Sequence, residues 1–313
     1  MSNDTSRTTS SSDATEVPPG QDKPRRPDAD QRRELGRRRR PVDEELRDRF
    51  QSTVDEAERR LGRSWPALLS TGAVGGIDVG VGVMALLIVR EGTGNELLAA
   101  LAFSIGFIAL TLGRSELFTE NFLVPVVAVV AHKSTVGATL RLWGGTAATN
   151  LLAGWAFTGL MAVGLPDLHE TAVEVGSHYP ELGISATSLA SAIIGGAAIT
   201  LMTWMERGTD SVPGKLVAAV SIAFVLASGR LNHAIVVSLE MFAALHAGAP
   251  FGYADWLGMA LWAALGNMIG GLALVTVLRL VQIGRTAMRD EQRRPVDEPR
   301  EPSPSTPPEA SPS

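Results

Sequence analysis

The sequence predicts an all-α integral membrane protein with six transmembrane helices in two inverted three-helix repeats, of which spans two and five are interrupted. Three observations lead to this fold class: long apolar segments in the middle of the chain, a charge bias in alternate links between them, and an internal repeat. The chain has 313 residues, a formal net charge of -5 and no cysteine. The lack of cysteine excludes a disulfide framework and thiolate chemistry.

Composition divides the chain into four parts. Residues 1–45 and 284–313 are polar and contain many Ser, Pro, Arg and Glu residues, so they bury too little apolar surface to fold and are predicted to be disordered tails. Residues 46–65 carry apolar side chains at helical spacing. Because this stretch runs directly into the first span, we interpret it as an amphipathic helix on the membrane surface, with a soluble helix in a tail as the alternative. Residues 66–283 form the transmembrane domain.

Six segments of this domain are long and apolar enough to cross a bilayer, which requires roughly 20 apolar residues. We place the spans at 66–90, 96–132, 138–165, 184–206, 213–247 and 253–283.

Lys and Arg concentrate in the N-terminal tail and in every second link between spans, whereas residues 166–183 contain acidic residues but no Lys or Arg. Cytoplasmic loops carry the excess of positive charge in membrane proteins. The pattern therefore predicts a multi-pass protein of the inner (plasma) membrane, surrounded by lipid, with both termini in the cytoplasm.

An internal repeat joins the two halves of the domain. Gly113-Arg114 matches Gly229-Arg230, and Asn150 with Gly154 matches Asn267 with Gly271, at nearly constant offset. Each repeat holds three spans, and an odd number of crossings inserts the second copy upside down. Inverted repeats place their transport site near the midplane, on interrupted helices.

Spans two and five carry polar runs at corresponding places. These runs contain Arg114, Glu116 and Glu120 in the first half, and Arg230, Asn232 and His233 in the second half. Charged groups and irregular backbone at membrane depth are costly unless they face a cavity, buried protein or one another. Two such breaks at symmetric positions predict a pore.

Four segments, taken in order, resemble the formate/nitrite transporter family. They are Phe103-Ser104-Ile105-Gly106, Glu116-Leu117-Phe118-Thr119, Ala227-Ser228-Gly229 with the nearby His233, and Leu265-Gly266-Asn267-Met268-Ile269-Gly270-Gly271. The resemblance implies a homopentamer with one pore per subunit, which passes small monovalent weak-acid anions such as formate or nitrite, often with a proton. It also implies that a central histidine and a loop threonine meet between two apolar constrictions.

The resemblance implies that the substrate pore contains His233 and Thr119, and we add Asn232 and Glu116 as further residues of the predicted pore. The constrictions contain Phe103, Phe107, Leu117 and either Val225 or Leu226. The family usually has Glu directly before the histidine, where this chain has Asn232 in a stretch that is one residue longer. A buried histidine can also be purely structural, but a histidine at a helix break in the membrane is first interpreted as functional.

Two interpretations of the charged break residues Arg114, Arg230 and Glu120 are open. The arginines can raise the local potential and attract anions. Alternatively, they can pair with Asp78, Glu116, Glu120 or Glu240, which is the interpretation that we favour because the four acids outnumber the two arginines.

Two other classes of function are weaker. A neutral small-solute channel of aquaporin-like architecture also has inverted three-span repeats, but its paired Asn-Pro-Ala turns are absent. The five histidines form no His-Glu-x-x-His spacing, which disfavours a metalloenzyme. We therefore expect no enzyme activity, no catalytic residue, no metal or other cofactor and no nucleic-acid partner.

Overall fold

The structure is a computed structural model that describes residues 50–283, so the predicted tails and residues 46–49 lie outside the described residues. The α-helices are α1 (residues 50–61), α2 (Trp65–Thr93), α3 (Glu96–Gly113), α4 (Val124–Val130), α5 (Val136–Gly164), α6 (His169–Leu182), α7 (Ala186–Arg207), α8 (Val212–Ser228), α9 (Ala234–His246), α10 (Tyr253–Met268) and α11 (Leu278–Ile283). Two 3-10 segments, Phe118–Phe122 and Pro166–Leu168, and a π-helical segment, Ile269–Val277, complete the order.

The predicted spans correspond to these helices. Helices α2, α5 and α7 form spans one, three and four, and α10 continues through the π-helical segment into α11 as span six. Span two is divided into α3 and the segment Phe118–Val130, and span five into α8 and α9. The six-span fold with interruptions in spans two and five is therefore confirmed.

The two repeats use the same close packing between their first and third helices. A Cβ atom added to Gly76 on α2 would lie 2.3 Å from the carbonyl oxygen of Asn150 on α5, and one added to Gly196 on α7 would lie 2.2 Å from that of Asn267 on α10. Glycine at these positions lets the helix backbones approach each other closely, as is common between helices in membranes. The repeat seen in the sequence is therefore a repeat of packing.

Helix α1 differs from the prediction of a helix lying on the membrane surface. Its apolar stripe is buried within the protein, because it packs on α4 and neighbouring helices. The stripe consists of Phe50, Val54, Ala57 and Leu61, and its neighbours include Leu123, Val124, Val127, Ala128 and Trp204. Periodicity correctly identifies an amphipathic helix, but it cannot distinguish a lipid surface from a protein surface.

Helix α6 occupies the acidic link between spans three and four, which the sequence predicts only as a link. It packs against α9, and a Cβ atom on Gly176 would lie 2.7 Å from the carbonyl oxygen of Glu240. Tyr179 on its buried face is 4% exposed. Helix α6 thus covers one face of α9.

Candidate functional site

The break in span two is held by Asn150. Its Oδ1 accepts a hydrogen bond from the Phe118 backbone N–H at 2.9 Å. Its Nδ2 donates to the carbonyl oxygens of Gly72 at 2.6 Å and Glu116 at 2.9 Å. Backbone groups that leave a helix inside the membrane require such partners. One buried amide therefore fixes the chain on both sides of Leu117.

The break in span five is held in the same way by Asn267. Its Oδ1 accepts from the Ala234 backbone N–H at 2.9 Å, and its Nδ2 donates to the carbonyl oxygens of Ala192 at 2.7 Å and Asn232 at 3.0 Å. The sequence repeat pairs Asn150 with Asn267 but assigns neither a role. The two asparagines follow the residues that they bind by nearly the same number of positions, 32 and 34 for Asn150 and 33 and 35 for Asn267. This similar spacing is the signal in the sequence that identifies them as clamps.

The two breaks meet at Thr119 and His233. Thr119 Oγ1 and His233 Nε2 are 2.6 Å apart, and both side chains are fully buried. Thr119 belongs to the 3-10 segment that follows the first break, and His233 is the residue that precedes α9. The structure therefore brings together the two polar residues that the sequence places at the centre of the pore.

The hydrogen bonds of His233 determine which ring nitrogen carries the proton in the neutral imidazole. His233 caps α9, because its Nδ1 accepts a hydrogen bond from the Val236 backbone N–H at 3.4 Å. In neutral imidazole the proton is then on Nε2, which donates to Thr119 Oγ1. The threonine hydroxyl keeps its own hydrogen free to donate to another group.

Apolar side chains fill the region around the predicted constrictions. Phe103, Phe107, Leu117 and Leu226 are at most 1% exposed and belong to one hydrophobic cluster. The rings of Phe103 and Phe107 have centroids 5.5 Å apart. Val225, by contrast, is 48% exposed on the outer surface of the protomer, so Leu226 is the span-five residue that faces the core.

A cavity of about 460 Å³, which we call the large vestibule, lies beside α1. Its lining includes Arg60, Arg63, Arg114, Glu116 and Glu120. A second cavity of about 40 Å³, the small vestibule, lies beside α6 and is lined by residues that include Arg90, Glu96, Tyr179, Arg230 and Glu240. Neither Thr119 nor His233 lines either of these two cavities.

The predicted ion pairs of Arg114 and Arg230 are wrong. Arg230 pairs with Glu96 at 2.6 Å, and Arg114 makes no ion pair within residues 50–283. Both residues have a left-handed backbone, with φ of 53° at Arg114 and 45° at Arg230. Inverted symmetry places equivalent residues at opposite ends of the pore, so one arginine lines the large vestibule and the other the small vestibule.

The proposed acidic partners contact other groups instead. Glu116 pairs with Arg63 at 2.6 Å and with Arg60 at 3.0 Å. Asp78 accepts a hydrogen bond from the Ser115 hydroxyl, and Glu240 accepts one from the Tyr179 hydroxyl. The sequence analysis did not identify Arg60, Arg63 or Tyr179, because their segments were assigned to a surface helix and to a link.

Helix α1 is connected to the large vestibule by an ion network. Arg60 bonds Glu56 at 2.9 Å and Asn121 Oδ1 at 3.0 Å, in addition to Glu116. Burial alone would raise the pKa of the Glu56 carboxyl, but Arg60, Arg207 and hydrogen bonds from Arg60 and Arg59 outweigh it and lower the pKa to about 2. Glu56 is therefore ionised at neutral pH, and it anchors α1 by charge as well as by apolar contact.

The small vestibule has a different electrostatic character. Burial and the nearby Arg230 lower the pKa of His178 on α6, which outweighs the opposite effect of Glu181. Burial, together with Glu240, raises the pKa of the Tyr179 hydroxyl well above its usual value. His178 is thus neutral at pH 7, and Tyr179 remains a hydrogen-bond donor.

Asn232 has a structural environment. Its Nδ2 donates to the Ser188 carbonyl at 3.4 Å, and its backbone N–H donates to Ser191 Oγ at 3.0 Å. Its Oδ1 is buried without a hydrogen-bond partner within residues 50–283. Asn232 therefore packs toward α7.

Within residues 50–283, no group of three or more His, Asp or Glu side chains is placed to hold a metal ion.

Comparisons with known proteins agree with this architecture. The chain is 29% identical over 239 residues to the inner membrane protein YfdC of Escherichia coli (strain K12), which covers 73% of this chain and 76% of that protein. A solved structure of an FNT family ion channel aligns with 75% of this chain and with 98% of the channel's chain. The TM-score of this alignment is 0.65 and the sequence identity is 17%. A pentameric formate channel with formate bound matches 70% of this chain and 97% of its own, with a TM-score of 0.59 at 17% identity.

The family model described as formate/nitrite transporter matches residues 47–281. This range contains α1, spans one to five, all but the last two residues of span six, both breaks and both asparagine clamps. Because the match extends over most of the chain, this multi-pass membrane protein belongs to the formate/nitrite transporter family.

Proposed function

We propose that this protein conducts small monovalent anions of weak acids, such as formate or nitrite, and that His233 controls a proton that crosses with them. The observation that carries the proposal is the 2.6 Å contact between His233 Nε2 and Thr119 Oγ1, two side chains that are fully buried. Membership of the family supports the anion class, and formate is the ligand of a structural neighbour.

The chemistry follows from the surroundings of the imidazole. Both ring nitrogens of His233 contact neutral groups, so a positive ring has no fixed counter-charge there. Protonation of Nδ1 would also remove the acceptor for Val236 N–H and place a cation at the positive end of α9. A protonated ring is therefore unfavourable until an anion arrives and compensates for it.

The apolar cluster selects what can cross. A bare anion that enters a low-dielectric region loses solvation worth tens of kcal/mol in the ideal limit. A weak-acid anion that takes a proton crosses as a neutral acid, and each pKa unit of that transfer costs about 1.4 kcal/mol. The free Thr119 hydrogen donates to the anion beside His233. Chloride cannot take a proton usefully and should be excluded.

The experiment is flux into proteoliposomes with formate, nitrite and chloride over a series of pH values. Wild type should carry formate and nitrite, with flux that depends on pH, and should exclude chloride. His233→Asn should retain its fold and lose or invert the pH dependence. Thr119→Ala should slow flux with a smaller change in the pH profile.

His246→Asn is the matched control for this experiment. His246 lies at the far end of α9, where its Nε2 contacts the Trp155 carbonyl at 3.1 Å. Its variant should keep the wild-type pH profile. Formate flux that remains equally pH-dependent in His233→Asn would remove His233 from the mechanism, and equal flux of chloride would remove the weak-acid route.

We further propose that the chain assembles as a homopentamer with one pore per subunit and with both termini in the cytoplasm. The large vestibule is then the cytoplasmic one. A pentameric neighbour and many exposed large apolar side chains support the assembly, because such surfaces require cover by lipid or another subunit. Native mass spectrometry in mild detergent tests the stoichiometry, and a stable monomer or tetramer would contradict it. Labelling of cysteines introduced at residues 5 and 310 tests the topology.

A further inference from the structure

The large vestibule contains four carboxyl groups that differ in how well they are compensated. Glu56, Glu116, Glu120 and Glu206 all line this cavity of about 460 Å³. Glu56 pairs with Arg59 at 2.6 Å, and Glu116 pairs with Arg63 at 2.6 Å. A buried carboxyl without such compensation needs an explanation, because leaving its oxygen unbonded costs free energy.

Glu206 stands at the end of α7 and is only partly buried. Its Oε1 accepts a hydrogen bond from the Thr111 hydroxyl at 3.0 Å. It therefore has both a hydrogen-bond donor and access to solvent. The structure explains this carboxyl as an ordinary polar group at the mouth of the cavity.

Glu120 is the exception. It is 5% exposed, it makes no ion pair within residues 50–283, and its Oε1 is buried without a hydrogen-bond partner in the same part of the chain. The Glu120 backbone N–H donates to the Leu117 carbonyl at 3.2 Å, which holds the residue in its 3-10 segment. A backbone hydrogen bond from Leu117 also acts on the carboxyl, but Oε1 has no partner within residues 50–283, so the segment presents one unbonded carboxyl oxygen beside a cavity.

The charges around Glu120 do not neutralise it. Arg60 on α1, Glu116 in the loop and Glu206 on α7 act on it, and Arg207 lies at the end of α7. Arg60 is already bonded to Glu56, Glu116 and Asn121. Two cations, Arg60 and Arg207, and two further acids therefore act on Glu120, but neither cation forms an ion pair with it within residues 50–283.

Its position in the chain connects it to the central pair. Glu120 directly follows Thr119, whose hydroxyl contacts His233. Glu120 lines the large vestibule, whereas Thr119 does not. Two consecutive residues of one short segment therefore reach the centre of the pore and the cavity that leads away from it.

We infer that Glu120 exchanges a proton with the permeating weak acid at the large-vestibule end of the pore. A neutral acid HA that leaves the apolar region transfers its proton to the Glu120 carboxylate, which gives the anion A⁻ and the Glu120 carboxylic acid. The carboxylic acid then releases the proton to water in the vestibule. The reverse sequence loads the acid. This inference rests on the proposed weak-acid transport.

The buried carboxyl at the other end does not share this property. Glu240 lines the small vestibule and is also 5% exposed, but it accepts a hydrogen bond from the Tyr179 hydroxyl. Its carboxylate is therefore compensated by a donor that stays protonated. Proton exchange through a carboxyl is thus assigned to one end of the pore only.

Formate flux through oriented proteoliposomes tests the inference, with pH varied only on the side of the large vestibule. A one-proton step changes flux by at most about tenfold per pH unit. Wild type should show a dependence of this kind between about pH 5 and about pH 8. Glu120→Gln should lose it, and Glu120→Asp should retain it with a displaced midpoint.

Glu206→Gln is the matched control, since it removes the same charge from the same cavity. It should keep a one-proton dependence of similar steepness, with a displaced midpoint because the Glu206 charge acts on Glu120. A wild-type profile in Glu120→Gln, or equal flattening in Glu206→Gln, would overturn the role of Glu120 while leaving the proposed function intact. Absence of formate and nitrite flux in wild type would instead defeat the proposed function.

Infrared difference spectra provide a readout that does not depend on transport. Acidification of the wild-type protein should produce a C=O stretching band of a protonated carboxyl, and this band should be missing in Glu120→Gln and present in Glu206→Gln. A band that is unchanged in Glu120→Gln, or no titrating band in wild type, would show that Glu120 does not exchange protons.

Discussion

The breaks in spans two and five share a scaffold and differ in chemistry. Each is clamped by one buried asparagine that bonds the backbone on both sides of the break, and each contains an arginine with left-handed φ. The first break is followed by Thr119 and Glu120, and the second ends at His233. Duplication explains the shared backbone geometry, whereas the side chains directed to the pore have diverged.

The elements that cover the two breaks differ as well. On one side, Arg60 of α1 and Arg63, which follows α1, lie beside Glu116. On the other, α6 supplies Tyr179 to Glu240. The large vestibule is thus bordered by an ion network that includes Arg60 of α1. The small vestibule combines the Tyr179–Glu240 hydrogen bond with the ion pairs that Glu96 forms with Arg90 and Arg230. The inverted repeat therefore gives both breaks the same backbone support, while the helices that cover them place different charged and polar groups at the two ends.

Among the substitutions that test how the two breaks are held, loss of an asparagine clamp should have the largest effect on the stability of the fold. Asn267→Ala leaves the buried Ala234 N–H without its acceptor and weakens two carbonyl contacts. A buried donor without a partner costs about 1–3 kcal/mol, and the vacated space adds to this. We expect Asn150→Ala and Asn267→Ala each to lower the free energy of unfolding by about 2–4 kcal/mol in detergent, measured by thermal denaturation.

Asn95→Ala is the control for the clamps. Asn95 caps α3 at an exposed site, where its Oδ1 accepts from the Leu97 and Leu98 N–H groups at 3.0 Å. Loss of such a cap costs about 1 kcal/mol. A clamp variant that is no less stable than Asn95→Ala would contradict the structural role, and unequal clamp variants would show that the two breaks are not equivalent in stability.

The sequence predicts the symmetric part of the molecule well. Hydropathy locates six spans, and polar runs within apolar helices locate both breaks, because each signal follows directly from the cost of polar groups in lipid. The contact between Thr119 and His233 is likewise expected from two breaks in inverted halves. These features depend on local composition and on symmetry, both of which are visible in one chain.

The covers of the two breaks are less predictable. Arg60 belongs to an amphipathic helix whose partner cannot be deduced from periodicity, and Arg63 directly follows that helix. Tyr179 lies on a short helix that the sequence analysis treated only as a link between two spans. The partner of Arg230 was also missed, since Glu96 lies 134 residues away at the start of another helix. Long-range ion pairs depend on the packing of whole helices, which a single sequence does not specify.

The ion network of α1 should make the large-vestibule side sensitive to acid. The pKa of Glu56 is about 2 in the folded protein and 4.5 for an unperturbed carboxyl. Because the folded value is the lower one, the stabilisation is complete above about pH 4.5 and is lost as the pH falls toward 2. After allowance for solvent screening, the loss should be about 1–2 kcal/mol.

Glu56→Gln should therefore be less stable than wild type at neutral pH, with a difference that narrows below about pH 4.5. Unfolding curves measured across this range test the prediction. Glu58→Gln, a change on the same helix at a carboxyl without an ion pair in residues 50–283, is the control. A difference between Glu56→Gln and wild type that grows as the pH falls would contradict the sign.

Substitution of Arg114 or Arg230 should have the smallest effect, which is a change in the rate of anion entry. The size of this change should differ between the two arginines. Arg114 is exposed to the large vestibule and makes no ion pair within residues 50–283, whereas Arg230 is paired with Glu96 at 2.6 Å. An uncompensated charge near a pore raises the local anion concentration, and salt screens this effect over about 10 Å at 0.1 M. Arg114→Gln should thus reduce anion entry from the large-vestibule side by roughly two- to threefold at low salt.

Arg230→Gln should change the rate of anion entry from the small-vestibule side less, because this variant also leaves Glu96 without Arg230 as a partner. Glu96→Gln should increase that entry, since Arg230 and Arg90 both lose a partner. Initial rates of formate uptake at low and high ionic strength test all three variants. Equal losses in the two arginine variants, or losses that persist at high salt, would show that the arginines act through structure and not through charge.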